Sequence, residues 1–164
     1  MEKAIKPQKR DKSLVPLSRE HHFGLLFCWK IKAGLKNKTD LLILQAYVKF
    51  FWENILKPHC QEEEWLVDRF LLPTDTLRER IEEEHRLLQW MIDLICDGKR
   101  HTSDQFQTLQ KDLTAHIRWE ERELFPYLQS VVAPEELELA GQLMAHHHKG
   151  QPVADDFTPA FWEE

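Results

Sequence analysis

The sequence has little glycine and cysteine, and it has no long apolar run. Its five glycines form no glycine-rich phosphate loop, which argues against nucleotide-binding folds. The three cysteines are far apart and odd in number, so they do not suggest a disulfide framework. No run approaches the roughly 18 apolar residues that span a bilayer. No segment alternates apolar and polar residues as a half-buried strand does. These absences favour an all-α protein without a membrane span.

The charge pattern argues against two classes of partner. The formal net charge is -6, and acidic and basic residues are interspersed. Such a surface gives no reason to expect nucleic-acid or membrane binding. The first eleven residues are basic and have no apolar core, so they do not read as a secretory signal. Together with the cysteine pattern, this predicts a cytoplasmic protein.

Helical periodicity predicts three parts: a flexible polar arm over residues 1–13, a helical body over 14–150 and an irregular tail over 151–164. The body contains four long amphipathic segments and a shorter fifth helix that starts at Pro134 and ends near Gly150. Short connections between such segments predict an up-down four-helix bundle with a short extra C-terminal helix. The four long segments begin at Pro16 or Ser18, at about Asp40, after Thr74, and at Thr102 or Ser103; they end near Lys36, Phe70, Cys96 and Val131.

Individual residues refine these helices. Pro58 is expected to kink the second helix, because proline lacks the amide donor, and Pro126 falls near the end of the fourth. Thr74 is predicted as the N-cap of the third helix, and Gly98 fits its C-terminal end.

Each of the four long segments places a histidine in the apolar stripe that should face the core, and two of them add a glutamate one turn later. A buried carboxylate must find a partner, bind a cation or take up a proton. Imidazole suits iron, zinc and copper, while carboxylates add charge and can bridge two ions. The stripes therefore predict a metal centre formed by His21, His59, Glu63, His85, His116 and Glu120.

The order of these residues carries more information than their spacing. With nine histidines and many glutamates, chance predicts roughly one H-x-x-x-E spacing, and the sequence has two. However, the chain contains E-H followed by H-x-x-x-E-E twice, from Glu20 to Glu64 and from Glu84 to Glu121. This repeat favours two helix hairpins related by a pseudo-twofold axis, with two equivalent sets of ligands in the middle.

At these residues the sequence resembles the hemerythrin-like family, which is described by a His-His-Glu cation-binding motif. The resemblance covers residues 14–130 and rests on L-S-R-E-H-H, L-K-P-H-C-Q-E-E, E-E-H-R and L-x-x-H-I-R-W-E-E-R-E-L-F-P. It implies an up-down four-helix bundle around an oxo- or hydroxo-bridged pair of irons, with zinc or manganese as substitutes. It also implies that the four histidines are nitrogen ligands and that Glu63 and Glu120 are bridging carboxylates.

The sequence departs from the oxygen-carrying members of that family at two positions. Gln89 stands where they have a fifth histidine, and Glu120 stands four residues after His116 where they have an aspartate at five. Two six-coordinate irons need about twelve donor positions, and this ligand set supplies about eight. Bridging oxide, water or an exogenous ligand must fill the rest. Glu62 and His22 are the candidates within the chain for a vacancy.

Several residues near this set have alternative interpretations. Each His–Glu pair taken alone could be an exposed helix ion pair. His21 competes with His22, and the E-H register shared with Glu84-His85 favours His21. Outer carboxylates Glu20 and Glu84 could orient imidazoles, although a solvated face is preferred. Cys60 is interpreted as a packing residue, and Tyr127 as too distant to bind metal. An exposed helix end is the preferred interpretation of His146, His147 and His148. The tryptophans interpreted as side chains that fill the bundle are Trp29, Trp52, Trp65, Trp90 and Trp119.

These features predict a non-haem di-iron binding protein that binds or senses dioxygen or iron. The exogenous partner would be dioxygen or another small ligand, and signalling would need a protein partner. The alternative is a di-iron enzyme that acts on peroxide or nitric oxide or donates iron for cluster repair. A third interpretation is a structural bundle without a physiological metal.

Overall fold

The structure is a computed structural model that describes residues 8–147 and 155–163. Within these ranges the regular structure is helical and contains no strand, which confirms the all-α class. None of the described helices is long and apolar enough to cross a membrane. The helices are α1 (Val15–Lys36), α2 (Leu41–Phe51), α3 (Lys57–Phe70), α4 (Thr76–Asp97), α5 (Ser103–Trp119), α6 (Phe125–Val131) and α7 (Pro134–His147).

Two π-helical turns join these helices into longer rods. The first π turn, Trp52–Leu56, connects α2 to α3, and the second π turn, Glu120–Leu124, connects α5 to α6. Each is followed two residues later by a proline, Pro58 or Pro126. Because proline cannot donate the usual helical hydrogen bond, the wider π turn lets the chain continue without a break. The interruption predicted at Pro58 therefore takes the form of a π turn just before it.

The helix ends follow ordinary capping chemistry. The Asp40 carboxylate accepts a hydrogen bond from the Leu42 amide, and Thr102 and Gln105 form a capping box at the start of α5. The prediction that Thr74 caps α4 is wrong, because Asp75 takes that place and accepts hydrogen bonds from two amides. A carboxylate also interacts favourably with the positive end of the helix dipole. Gly98 follows the last residue of α4, as predicted.

The four rods of the fold are α1, α2–α3, α4 and α5–α6. They contact one another in a closed ring. α1 packs against α5, α5 against α4, α4 against both α2 and α3, and these two against α1. α7 lies outside this ring and covers its end, where Gly141 approaches the N-terminal segment closely. A Cβ atom at Gly141 would lie 2.7 Å from the Cβ of Ser13, so this contact requires glycine.

The buried apolar side chains form two clusters with the six polar residues of the predicted site between them. α1 and α4 each run from the second cluster to the first, whereas the α2–α3 and α5–α6 rods run from the first to the second. The first cluster includes Phe27, Ile31, Tyr47, Phe51, Ile55, Leu88, Ile92, Phe106, Leu113 and Ile117. The second includes Leu14, Leu17, Leu66, Val67, Ile81, Leu124, Phe125, Leu128, Leu137 and Met144.

The described parts of both terminal segments contact the helices. Arg10 donates hydrogen bonds to Glu121 and Gln129, and Phe161 is buried in the first apolar cluster. Residues 1–7 of the predicted arm, residues 151–154 and 164 of the predicted tail, and the predicted end of the fifth helix at Gly150 lie outside the described residues. The division into arm, body and tail stays a prediction.

The interpretation of the tryptophans as side chains that fill the bundle is only partly correct. Trp119 is buried, but Trp90 is 60% exposed and Trp29 is 55% exposed, so the interpretation is wrong for these two. Their exposure leaves large aromatic surfaces on α4 and α1.

Candidate metal centre

The four predicted histidines lie on four different rods and point toward one another. His21 comes from α1, His59 from α3, His85 from α4 and His116 from α5. Glu63 on α3 lies one turn after His59, and Glu120 starts the second π turn one turn after His116. All six residues are buried, with at most 5% of each residue exposed. The structure therefore brings together the whole set that the apolar stripes predicted.

The six residues form two groups that share both glutamates. Within each group, one potential ligand atom from every residue lies within 4.8 Å of the others. One group is His21, His59, Glu63 and Glu120; the other is Glu63, His85, His116 and Glu120.

The two oxygens of each shared glutamate are directed to different histidine pairs. Glu63 Oε1 lies 3.1 Å from His21 Nε2 and 2.9 Å from His59 Nε2, while its Oε2 lies 3.4 Å from His85 Nε2. Glu120 Oε2 lies 2.9 Å from His21 Nε2, while its Oε1 lies 2.9 Å from His116 Nε2. Each carboxylate thus spans the two groups, as a bridging ligand of two cations does.

An outer ring of four glutamates holds the four imidazoles. Each histidine pairs its Nδ1 with a carboxylate from the neighbouring rod, so the four bonds link all four rods in a closed circle. With Nδ1 protonated and donating, the lone pair of Nε2 points into the site. The pairs are His59 with Glu20 at 2.5 Å, His85 with Glu64 at 2.9 Å, His116 with Glu84 at 2.6 Å and His21 with Glu121 at 2.7 Å.

The atoms at the centre lack the hydrogen bonds that buried polar atoms usually make. Among the described residues, His59 Nε2, Glu63 Oε2 and both carboxylate oxygens of Glu120 are buried and contact only one another and the other central histidines, without a hydrogen bond of regular geometry. His85 Nε2 and His116 Nε2 face each other at 3.1 Å. Converging lone pairs of this kind repel one another unless a proton or a cation lies between them. Nitrogen and carboxylate donors suit a transition-metal cation, so the residues fit a metal centre.

The charges of the six central side chains show what a cation would replace. Burial alone would lower the histidine pKa values, but the adjacent carboxylates outweigh it. They raise the pKa of His21 to about 12 and those of His59 and His116 to about 9. Burial disfavours the charged glutamates, yet the histidines hold the pKa values of Glu63 and Glu120 below their usual range. Protons on the imidazoles therefore balance the two carboxylates when no metal is bound.

Metal affinity is expected to increase with pH between about 6 and 9. Binding requires deprotonated Nε2 atoms, whereas the pKa values of His59 and His116 near 9 keep both rings protonated at pH 7. Metal addition at pH 7 in weak buffer should release at least about two protons per chain. Titration with a pH indicator measures this release. An affinity that is constant from pH 6 to 9 would contradict it.

The outer ring was only partly anticipated. The preference for a solvated face at Glu20 and Glu84 is wrong, because both accept from imidazoles, and the roles of Glu64 and Glu121 were not predicted. The sequence did contain the signal. In each repeat, the acid of E-H and the second acid of H-x-x-x-E-E are the outer carboxylates.

Replacing an outer carboxylate should weaken metal binding without removing a ligand. The variant Glu84→Gln loses the charge that orients the His116 imidazole, so a decrease in affinity of about 10- to 100-fold is expected. Competition with a chromophoric chelator measures the change. The matched control is Glu83→Gln, because Glu83 is the adjacent residue and is exposed. Equal metal affinities for the two variants would refute the role of the outer ring in metal binding.

The other candidate ligands lie apart from this centre. His22 and Gln89 are exposed, His146 and His147 are exposed at the end of α7, and His148 lies outside the described residues. Glu62 is half-buried and belongs to neither group, and the Tyr127 hydroxyl donates to Asp75 at 2.7 Å.

A small cavity adjoins the centre on the side of the first apolar cluster. Its volume is about 10 Å³, close to the space for one water molecule. Gly24 keeps it open on α1, because a Cβ atom there would lie 2.6 Å from Cδ1 of Ile117. The lining is apolar except for the central residues and Glu20 of the outer ring: Glu20, His21, Gly24, Phe51, Ile55, Leu56, His59, Cys60, Leu113, His116, Ile117 and Glu120.

Fold and site together define a helical protein with a buried histidine–glutamate centre that could hold metal. The family model described as Hemerythrin HHE cation binding domain matches residues 76–164, which is more than half of the chain. The protein therefore belongs to the hemerythrin HHE cation-binding family. The match includes His85, His116 and Glu120, whereas His21, His59 and Glu63 precede it. Neither the curated proteins nor the solved structures gave a match.

Proposed function

We propose that this protein holds two irons at the centre and that its function is to bind or sense dioxygen or iron. Dioxygen or another small exogenous ligand would bind at this centre. The observation that carries the proposal is the position of Glu63 and Glu120, each with one oxygen toward each histidine pair. A single cation would use only one of these pairs. Iron is proposed on the family resemblance and on the nitrogen and carboxylate donors, with zinc or manganese as substitutes.

The ligand assignment follows the two groups. His21 and His59 would bind one ion, His85 and His116 the other, and Glu63 and Glu120 would bridge them. Bound iron would supply redox activity and open coordination positions. The protein itself fixes the Nδ1 protons through the outer ring and keeps bulk water away with the apolar lining of the cavity. The volume of that cavity, about 10 Å³, gives room for a ligand about the size of one water molecule.

The arrangement of the rods is proposed to be an up-down four-helix bundle. The alternating order in which successive rods pass through the two apolar clusters supports it, because neighbouring rods then run in opposite directions. A cytoplasmic location is also proposed, on the ground that Cys28, Cys60 and Cys96 are all free thiols.

Metal analysis tests the proposal directly. Protein expressed with sufficient iron and purified without oxygen should contain about two irons per chain, and its absorption spectrum should change on exposure to air. Fewer than about one metal per chain, with no effect of chelation on stability, would refute it. Steady turnover of peroxide or nitric oxide by the loaded protein would support the enzymatic alternative instead.

A further inference from the structure

Helix α4 carries a row of exposed apolar side chains that no described part of the chain covers. Leu87 is 52% exposed, Trp90 60% and Leu94 45%, and Met91 between them is half-buried. Their spacing of three and four residues places them on one face of the helix. Single exposed apolar residues are common, but a contiguous row over two turns is a feature of binding surfaces.

This row forms one wall of a groove between α4 and α5, which we call the α4–α5 groove. It consists of two adjoining hollows of about 250 Å³ and 280 Å³ that share Met91. Short side chains of α5, including Thr108 and Ala115, form the opposite wall. Because these side chains are short, the groove can accept bulky groups between the helices.

The α5 wall is acidic. Asp104 and Asp112 line the groove, are exposed, and lie two helical turns apart. Within the described part of the chain, neither carboxylate has an ion-pair partner. The other charged residues of the groove are paired, because Glu84 contacts Arg80 at 2.7 Å and His116 at 2.6 Å. Two unpaired negative charges therefore face the apolar row of α4.

We propose that the α4–α5 groove binds a basic amphipathic helix of a partner protein. From Leu87 to Leu94, α4 rises about 10 Å, which matches apolar anchors at positions i, i+3 or i+4, and i+7 of a bound helix. Lysine or arginine beside these anchors would pair with Asp104 and Asp112. A second copy of this chain fits less well, because its net charge is also -6. His116 and Glu84 line the floor of one hollow, but the proposed contacts are made by exposed residues of α4 and α5, so the inference does not depend on the identity of the metal.

A synthetic peptide tests the groove. The probe is a fluorescently labelled helix of about 14 residues, rich in alanine, with leucines at i, i+3 and i+7 and flanking lysines. Two controls have the same composition in scrambled order and the lysines replaced by glutamates. Fluorescence anisotropy should show at least about tenfold tighter binding of the probe than of either control, and binding that weakens with salt.

Matched variants locate the binding. Trp90→Ser should weaken the peptide complex at least about tenfold, whereas Trp29→Ser on α1 should leave it unchanged. Asp112→Asn should weaken it less and reduce its salt dependence. Circular dichroism checks that each variant is folded.

Three results would overturn the proposal. The first is equal binding of the probe and the scrambled peptide, or no binding of the probe. The second is equal weakening by Trp90→Ser and Trp29→Ser. The third is a dimer of the unmodified protein that Trp90→Ser dissociates in sedimentation measurements, which would assign the groove to a second copy.

Discussion

Replacing Glu120 with glutamine is expected to remove both metal ions, whereas replacing His21 with alanine is expected to remove only one. The difference follows from the positions of the ligand atoms. Glu120 places one oxygen at each histidine pair, while the His21 Nε2 atom belongs to one group alone. Glutamine keeps the size of the side chain but removes the charge that both ions share, so the metal content should fall from about two per chain to nearly zero.

The measurement is the metal content after equilibration with excess iron and removal of unbound ions. His22→Ala is the matched control for His21→Ala, because His22 is the adjacent residue in the chain and is exposed. It should retain about two ions per chain. Retention of one ion by Glu120→Gln would mean that this carboxylate does not bridge. Equal loss from His21→Ala and His22→Ala would refute the assignment of the histidines.

Removal of the metal by a chelator is expected to lower the melting temperature on the order of 10 °C at neutral pH. A ligand present at about 1,000 times its dissociation constant stabilises the folded state by about 4 kcal/mol, and 1 kcal/mol shifts the midpoint of a domain of this size by roughly 2–4 °C. The metal-free protein should remain folded, because protons on the histidines then balance Glu63 and Glu120.

The size of this stabilisation should depend on pH. The raised pKa values of His59 and His116 stabilise the metal-free form fully below pH 6.5, and this contribution is lost as the pH rises through about 9. The lowered pKa values of the two glutamates stabilise the folded state fully above about pH 4.5, and this contribution is lost as the pH falls further. The metal-free protein should therefore be most stable between about pH 4.5 and 6.5, and the benefit of metal should be larger at pH 9 than at pH 6.

Thermal unfolding with and without chelator at these two pH values measures the effect. The Glu120→Gln variant is the control, since a chelator should not change its melting temperature. A chelator effect of the same size in this variant would show that the stabilising metal binds elsewhere. No chelator effect in the unmodified protein would indicate that the centre is filled by protons alone.

The sequence predicted the helices and the set of six central residues because both depend on periodicity. A stripe with a period of 3.6 residues identifies the buried face, and a charged side chain on that face stands out. The all-α class and the family are confirmed, and the structure brings the six residues together. Their role as metal ligands stays a prediction.

Other features depend on contacts between rods, which periodicity does not specify. Glu64 and Glu121 follow Glu63 and Glu120 directly and lie outside the apolar stripes, so periodicity assigns them no role, although each reaches an imidazole on another rod. The residue type of Trp90 predicts a side chain that fills the bundle, although Trp90 lies on the open face of α4. The π turns were likewise not predictable. A proline in the sequence predicts only an interruption of the helix, whereas packing within the rod decides that the chain continues through a π turn.

The position of Glu120 in the chain has a consequence for biosynthesis. Both groups of ligand atoms require this residue, which follows His21 by almost one hundred positions. A nascent chain that has not yet reached Glu120 therefore has neither group of ligand atoms complete, although all four histidines precede this residue. Metal ions that use both groups would therefore be captured only after Glu120 has been synthesised. Cells that lack the metal would then accumulate a folded, proton-balanced form that can be loaded later.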